Sequence, residues 1–434
     1  MRFLVASFLA LAAAMPAHAD TLTEAMTTAV ETNPTLAATR QRLNATREAL
    51  PQAWAEALPQ LSLSAGATRS NRDGQGPGID TPSSEGWSGS IGASQLLFGG
   101  GRVVASTRGA RAQIAGAVAD YDNTIQSLLL DVTRAYADVR QAQAVVAARE
   151  TTVSNLTRLL EYAQAQFDAG VVTRTDVAQS QARQAQARTQ LVQAQGALAA
   201  ATQAYQRLVG TPPSDLQAPQ ATTGLPTDLN SALETAVRES PILRAAEADT
   251  ILADANVDIA DSAGRLRVTL EGGQSIGADF DDEDATEATT DSIGVRMSVP
   301  LFQGGATRSR SRAQRALRAA TNLDLAATQR AVQELVTNSW TGLASARAAV
   351  DSAREQVQAA ELAYEGVTLE QETGLRSTVE VLDQEQDLLI ARLALAQAER
   401  DLVVAERQLL ASVGQLDVPD SSGGTIESDD LRGR

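Results

Sequence analysis

The chain has 434 residues and a formal net charge of −17, with no cysteine and a single histidine, His18. All 36 basic residues are arginines. These counts exclude a disulfide framework, zinc sites built from cysteine or histidine, and cysteine–histidine or serine–histidine catalysis after residue 18. The acidic balance also excludes nucleic-acid binding. Carboxylate chemistry would need a pocket, which nothing in the sequence indicates, so we predict no enzymatic activity, no cofactor and no metal.

The first 19 residues have the pattern of a secretory signal peptide. Arg2 precedes a short apolar stretch that ends at Ala17-His18-Ala19, and small residues two apart are typical of a cleavage site. The stretch is too short to cross a bilayer as a helix, and an uncleaved anchor is the alternative. Because the chain has no cysteine, no thiol follows this segment to carry an N-terminal lipid.

After this segment the sequence predicts a helix, two strands, a long helix and a shorter returning helix. The first helix covers residues 22 to about 58, and alternating apolar residues predict a β-hairpin at about 60–98. Each alternating segment has about ten residues, the length of a tilted strand that crosses a membrane. A stretch without proline then predicts a long helix from about 102 to 168 and a returning helix over 174–208.

The same order of elements recurs in the second half of the chain. The matching landmarks, each 204 residues apart, are Leu97-Phe98-Gly99-Gly100-Gly101 with Leu301-Phe302-Gln303-Gly304-Gly305, Gly170-Val171 with Gly374-Leu375, and Val209-Gly210 with Val413-Gly414. A register held over this length indicates an internal duplication.

The duplication divides the chain into a small number of predicted segments. They are a first repeat at 20–212, a linker rich in proline, threonine and glutamine at 213–227, a second repeat at 228–415, and a disordered acidic tail at 416–434. The second repeat has its β-hairpin at about 266–302 and its helices at about 305–413. An acidic cluster at 279–287 is either a calcium site or a solvated loop, and its spacing differs from that of an EF-hand.

Both long helices carry one apolar residue in every seven. The positions are Val118, Ile125, Val132, Val139, Val146, Val153, Leu160 and Phe167 in the first copy, and Val336, Leu343, Val350, Val357 and Tyr364 in the second. A strict seven-residue repeat implies left-handed coiled-coil packing rather than an ordinary amphipathic helix. At 1.5 Å per residue the long helices are ~100 Å long and the returning ones ~50 Å, which is too long for a compact globular core.

The predicted fold is therefore mainly α-helical with a small β part. Four strands cannot close a transmembrane barrel, because their edges would be unpaired in lipid. Three chains related by a rotation would pool twelve strands, a number within the range of known barrels.

This arrangement resembles the TolC family of outer-membrane efflux proteins. The resemblance rests on the duplicated pattern, on the Leu-Phe-x-Gly-Gly motif after each second strand, and on the two helix-to-helix tips at 167–177 and 373–383. It implies a homotrimer with a twelve-stranded barrel in the outer membrane of a Gram-negative cell, four strands coming from each chain. It also implies a long coiled-coil α-barrel in the periplasm, built from the helices at about 102–208 and 305–413. The implied partners are a periplasmic adaptor protein, an inner-membrane pump of the ABC or RND class, and outer-membrane lipid.

The resemblance also implies roles for residues of the two tips. Glu380 and Asp383 match the acids of the pore constriction, and at a spacing of three they share one helix face. Three copies would form two acidic rings that favour cations, whereas solvated carboxylates at a helix start are the alternative. The residues that match the network closing the tip are Arg376, Thr175, Asp176 and Gln371, of which Gln371 replaces the tyrosine of the family pattern. The residues of the tip turns, where the adaptor would dock, are Gly170, Val171, Gly374 and Leu375.

Two functions follow from these features. The first is an export duct for type I protein secretion, small-molecule export or both, since family members without a lipid anchor often serve both tasks. The second is a periplasmic or surface structural coiled-coil protein without a channel. The predicted hairpins favour the duct, because a fibre does not need them.

Overall fold

The computed structural model describes residues 21–70, 84–220, 222–279 and 287–418. In this part the chain forms nine helices and four strands. The helices are α1 (Leu22–Thr32), α2 (Pro34–Arg47), α3 (Ala49–Ala55), α4 (Arg102–Asp168), α5 (Arg174–Val209), α6 (Leu229–Glu239), α7 (Pro241–Ser262), α8 (Ala306–Glu372) and α9 (Thr378–Ser412). The strands are β1 (Gln60–Ser70), β2 (Ser84–Phe98), β3 (Arg267–Asp279) and β4 (Ala288–Ser298). The predicted signal peptide, most of the acidic loop at 279–287 and the predicted tail beyond Val418 lie outside the described residues.

The predicted order of helices and strands is confirmed in both copies. The two long helices, α4 and α8, have 67 residues each. None of the helices in the described segments is both long and apolar enough to cross a membrane.

The prediction of one helix over residues 22–58 is wrong, because the segment forms α1, α2 and α3. Asn33 adopts an extended conformation, as a residue before proline is expected to do. Its side-chain Oδ1 accepts a hydrogen bond from the Thr35 backbone N–H at 2.9 Å, which starts α2. Its Nδ2 donates to the Leu208 carbonyl at 3.1 Å, a contact between residues 175 positions apart that local sequence patterns do not contain.

The chain divides into two compact units. The first holds the described residues of Met1–Ala38, Asp122–Ser240 and Val332–Arg434, and the second holds those of Thr39–Tyr121 and Pro241–Ala331. The second unit therefore holds the four strands and the helix segments next to them. Both predicted tips belong to the first unit.

The core of the first unit is formed by the predicted seven-residue repeat. Val132, Val139, Val336 and Val350 are almost completely buried. The repeat is less buried toward the tip, where Phe167 is exposed. The central positions of the repeat therefore pack in this core, as a heptad pattern requires, whereas positions nearer the tip, such as Leu160 and Val357, are half-buried.

The linker and the start of the tail pack against this core. Leu216 of the linker is buried, and the hydroxyl of Tyr136 on α4 donates to the Gln217 carbonyl at 2.7 Å. Leu416 and Val418 are also buried. The boundary predicted at residue 416 is therefore corrected, because packed chain continues to Val418.

We expect Tyr136→Phe to lower the stability of the first unit by about 1 kcal/mol. The substitution keeps the buried ring, which lies 6.4 Å from the ring of Tyr205, and removes the hydroxyl that donates to the linker. A lower apparent Tm in detergent checks the expectation. Tyr162→Phe, at a half-buried position of the same helix, is the control and should leave the free energy of unfolding within about 0.5 kcal/mol of the parent. An equal loss in both variants would contradict the role of the linker contact.

In the second unit, small residues allow the first part of α4 to approach α7 closely. A Cβ added to Gly109 would lie 3.3 Å from the Cβ of Ala255. Ala105 and Ala248 are buried. Three ion pairs join α7 to its neighbouring helices. On α4, Arg108 lies 2.5 Å from Asp258 of α7. On α8, Arg315 lies 3.0 Å from Asp261, and Arg318 lies 3.4 Å from Asp254.

The four strands form one antiparallel sheet in the order β1-β2-β3-β4, so the two predicted hairpins are joined through β2 and β3. The register pairs Leu63 with Ile91 and Leu270 with Val295, which places apolar side chains on one face. The opposite face is polar, with Glu271 accepting from Arg296 at 2.8 Å. Within the described residues β1 and β4 each pair on one side only.

The described residues leave the apolar face of this sheet uncovered. Leu63 is 81% exposed and Ile293 is 84% exposed. Exposed apolar patches of this kind mark a surface that meets another apolar phase or another molecule.

Candidate functional site

The two helix-to-helix turns of the first unit have the same backbone hydrogen bonds. The Val171 N–H donates to the Gln166 carbonyl, and the Leu375 N–H donates to the Glu370 carbonyl, both at 2.9 Å. These six-residue bonds end α4 and α8 as Schellman motifs. The motif needs a left-handed residue, and Gly170 and Gly374 supply it with φ of 76° and 78°.

A capping box starts the returning helix after each turn. The Thr173 N–H donates to the Asp176 carboxylate at 2.9 Å, and the Ser377 N–H donates to the Glu380 carboxylate at the same distance. In return, each hydroxyl accepts a bond from the backbone N–H of the acid three residues on. Asp176 and Glu380 are therefore equivalent capping residues of the two copies. The bonds from Thr173 hold the pKa of Asp176 below its usual value.

Each turn presents an exposed apolar side chain. In Schellman motifs the residue after the glycine often packs back on the helix that it ends. Here Val171 is 70% exposed and Leu375 is 77% exposed, so both side chains point into the surroundings.

Arg376 lies between two carboxylates in the second turn. Its Nε donates to Glu370 Oε2 and its Nη1 donates to Glu380 Oε1, both at 2.7 Å. Glu370 was not predicted as a site residue, since it precedes the turn and only the turn's geometry brings it near Arg376. These three residues line one groove together with Asp383.

The surroundings of Glu380 keep its carboxyl group ionised. The backbone hydrogen bond from Ser377, followed by the bond from Arg376, lowers the pKa of Glu380 to about 2. A residue with this pKa retains its negative charge down to strongly acidic pH.

Asp383 follows Glu380 on the same face of α9. Its Oδ1 lies 3.5 Å from Nη2 of Arg183 on α5, and both side chains are exposed. Arg183 was not predicted either, because it belongs to the other copy, 200 positions away in the sequence. Three acids (Glu370, Glu380 and Asp383) against two arginines leave one net negative charge at this place in each chain.

The four residues predicted to form the closing network do not form one network within a chain. Arg376 binds Glu370 and Glu380, whereas Asp176 caps α5. Gln371 is buried, and its Nε2 donates to Thr378 Oγ1 at 3.2 Å, which ties the end of α8 to the start of α9. Thr175 is exposed, next to Asp176.

The sequence matches the family model described as "Outer membrane efflux protein" over residues 25–211 and 232–415. The chain belongs to this family. The two matched ranges cover most of both copies of the duplication, and they leave out the whole linker between them. Membership identifies the protein as an outer-membrane efflux channel, and it favours this interpretation over that of a structural coiled-coil protein.

Relatives in the family are similar over nearly their whole length. The chain is 29% identical to the outer membrane efflux protein BepC of Brucella suis, over 92% of this chain and 86% of BepC. It is 28% identical to the outer membrane protein TolC of Vibrio cholerae, over 94% of each chain. The resemblance to the TolC family is therefore confirmed.

A solved structure of an efflux channel has the same fold. The structure of the Campylobacter jejuni CmeC outer membrane channel has a TM-score of 0.81, covering 95% of this chain and 89% of CmeC at 15% identity. At this identity the likeness establishes the helical and four-stranded architecture of one chain.

Proposed function

We propose that three copies of this chain form a passive tunnel across the periplasm and the outer membrane, and that the tunnel has no catalytic activity. The observation that carries the proposal is the sheet, with its uncovered apolar face and two unpaired edges. Unpaired backbone groups are very costly in lipid. Edge pairing between neighbouring chains would satisfy them, and three chains would complete a twelve-stranded barrel.

The tip turns are the proposed docking place for a periplasmic adaptor that works with an inner-membrane ABC or RND pump. Val171 and Leu375 support this role because exposed apolar side chains on a rigid turn give a partner a surface to bury. Gly170 and Gly374 hold the two turns in the same conformation, so one adaptor surface fits both copies.

Glu380 and Asp383 are the proposed constriction of the tunnel. Both acids lie on one face of the first turns of α9, where Asp383 is exposed and Glu380 is half-buried, and three chains would repeat them around an axis. The net negative charge per chain supports a preference for cations. Arg376, Thr175, Asp176 and Gln371 remain the proposed residues of the closed tip.

We expect deletion of the gene to stop export, and an altered tip to act like the deletion. The test complements a deletion strain with the parent, with V171D/L375D, or with V237D, which places the same charge at an exposed valine of α6. Mass spectrometry of the medium reports protein export, and sensitivity to drugs and detergents reports small-molecule export.

Each outcome has a defined meaning. Loss of one or a few large secreted proteins without signal peptides would identify type I secretion as the task, and an unchanged secreted set with increased drug sensitivity would identify small-molecule efflux. If V171D/L375D, present at normal levels in the outer membrane, restores export as well as V237D does, adaptor docking at the turns is wrong. If the deletion changes neither measurement, the export function is wrong.

A further inference from the structure

A carboxylate is buried in the helix packing directly behind the proposed constriction. Glu385 lies on α9, two residues after Asp383, and its side chain is on the buried side of the helix with 2% of the residue exposed. Burying a carboxylate is costly unless other groups donate hydrogen bonds to it. The donors around Glu385 therefore determine what the residue does.

Three side chains from two other helices bind this carboxylate. On α4, Asn155 Nδ2 donates to Glu385 Oε2 at 3.0 Å, and Thr152 forms a second hydrogen bond. On α8, the hydroxyl of Tyr364 forms a third. The start of α9 is thus tied to both long helices through one side chain.

The orientation of the Asn155 amide is fixed from its other side. The guanidinium of Arg158 donates to Asn155 Oδ1. Because the amide oxygen accepts from Arg158, the amide NH₂ group has to point toward Glu385. Each hydrogen bond in this series is therefore donated toward Glu385, from Arg158 to Asn155 and from Asn155 to Glu385.

Protonation of Glu385 is favoured in this packing. Burial raises the pKa of Glu385, and the hydrogen bonds from Asn155, Thr152 and Tyr364 offset only part of the rise. An acid with a raised pKa in the packed state binds its proton more tightly there than in water. The packed arrangement is therefore most stable below the ordinary pKa of the acid and loses stability as pH rises through the raised pKa.

The other charged or titratable groups around this place come from α4, α5, α8 and α9. They are Arg158 on α4, Arg183 on α5, Tyr364 and Glu361 on α8, and Arg392 and Asp383 on α9. The arginines stay charged at every working pH. The same burial raises the pKa of Tyr364 to about 12, so its hydroxyl keeps its proton.

We propose that Glu385 positions the acid-bearing first turns of α9 against α4 and α8, and that it holds them more firmly when protonated than when ionised. The consequence for conduction rests on the proposed constriction, whereas the packing role does not. Glu385 does not touch the ions or the cargo in this proposal. It acts through the helix that carries Glu380 and Asp383.

The test measures access to a buried thiol next to Glu385. Val381 is buried one turn earlier on α9, and Val381→Cys would be the only thiol in a chain that has no cysteine. We would label it with a maleimide in the full-length protein in detergent from pH 4.0 to 8.5, with and without E385Q. Glutamine keeps the shape and the hydrogen-bonding capacity of the protonated acid.

We expect equal labelling rates at pH 4.0, below the ordinary pKa of the acid, and labelling roughly threefold to tenfold faster at pH 8.5 when Glu385 is retained. Comparing the two backgrounds at one pH cancels the ionisation of the thiol itself. A negative charge on Glu385 disfavours the thiolate and would by itself slow labelling. Faster labelling therefore reports greater exposure of the thiol. E365Q, which neutralises an exposed acid of α8, should keep a rate ratio of one to the parent at every pH.

E385L removes both the charge and the hydrogen bonds, and it should label faster than E385Q at every pH. Equal rates for the parent and E385Q across the whole range would overturn the proposal. Conductance in planar bilayers distinguishes the packing role of Glu385 from the proposed constriction at Glu380 and Asp383. If labelling follows the expectation and conductance does not change with pH, the constriction at the start of α9 is wrong while the role of Glu385 stands.

Discussion

Removing the charges of Glu380 and Asp383 together is expected to reverse the preference of the channel from cations to anions. The structure places three acids and two arginines at this point, a net charge of −1 per chain. The double variant E380Q/D383N changes this sum to +1, because Glu370, Arg376 and Arg183 stay in place. Three chains would repeat the change around the pore, so the selectivity should change sign rather than only weaken.

Planar bilayer recordings in a KCl gradient give the measurement, since the reversal potential changes sign when anions become the preferred ions. We expect roughly a tenfold or larger change in the ratio of K⁺ to Cl⁻ permeability, and an intermediate value for each single variant. Glutamine at position 380 preserves the capping box, because a capping box accepts either Glu or Gln.

E399Q is the matched control for the double variant. It neutralises an exposed acid of α9 that pairs with Arg354 at 3.7 Å. Position 399 lies ~24 Å along the helix from Asp383, well beyond the screening length of about 8 Å in physiological salt. An unchanged reversal potential in E380Q/D383N, or the same change in E399Q, would show that these acids do not form the constriction.

Gly414→Ala is expected to destabilise the first unit by about 3 kcal/mol. Gly414 follows the end of α9 with a φ of 83°, a conformation that costs a residue with a Cβ about 1–2 kcal/mol. An added Cβ would also lie 2.5 Å from the backbone carbonyl oxygen of Glu239 at the end of α6. Backbone cannot move aside as a side chain can, so the overlap adds about 1–3 kcal/mol.

The duplication provides the control for this substitution. Gly210, 204 residues earlier, ends α5 with a φ of 92°, and its added Cβ would meet only Thr32 Oγ1 at 3.3 Å. Gly210→Ala should therefore cost about 1 kcal/mol, mainly for the left-handed backbone. Thermal unfolding in detergent and the amount of folded protein in the membrane would measure both. Equal losses at the two positions would contradict the close approach of α6 to Gly414.

The parts of this fold that the sequence predicts are those encoded by neighbouring residues. The stretches without proline predicted the two long helices, the seven-residue repeat predicted their packing, and the glycines marked both tip turns. These signals are local because a helix and its caps are formed by residues within about one turn of each other.

The features that sequence reasoning missed depend on distant contacts. Asn33 breaks the first helix and bonds to Leu208, and Leu416 packs onto a core that lies elsewhere in the chain. In the candidate site, Arg183 faces Asp383 from the other copy, and Glu385 is buried by α4 and α8. No window of sequence contains both partners of any of these contacts, so only the packed structure identifies them.

The two tip turns share the same backbone hydrogen bonds but differ in their side-chain contacts. The second turn carries Arg376 between Glu370 and Glu380, whereas Val172 occupies the equivalent position of the first turn and cannot form ion pairs. Exposed ion pairs weaken as dissolved salt increases, and the hydrogen bonds of a helix cap do so much less. We therefore expect added salt to loosen the second turn more than the first, so that the two copies of the duplicated turn differ in their sensitivity to ionic strength.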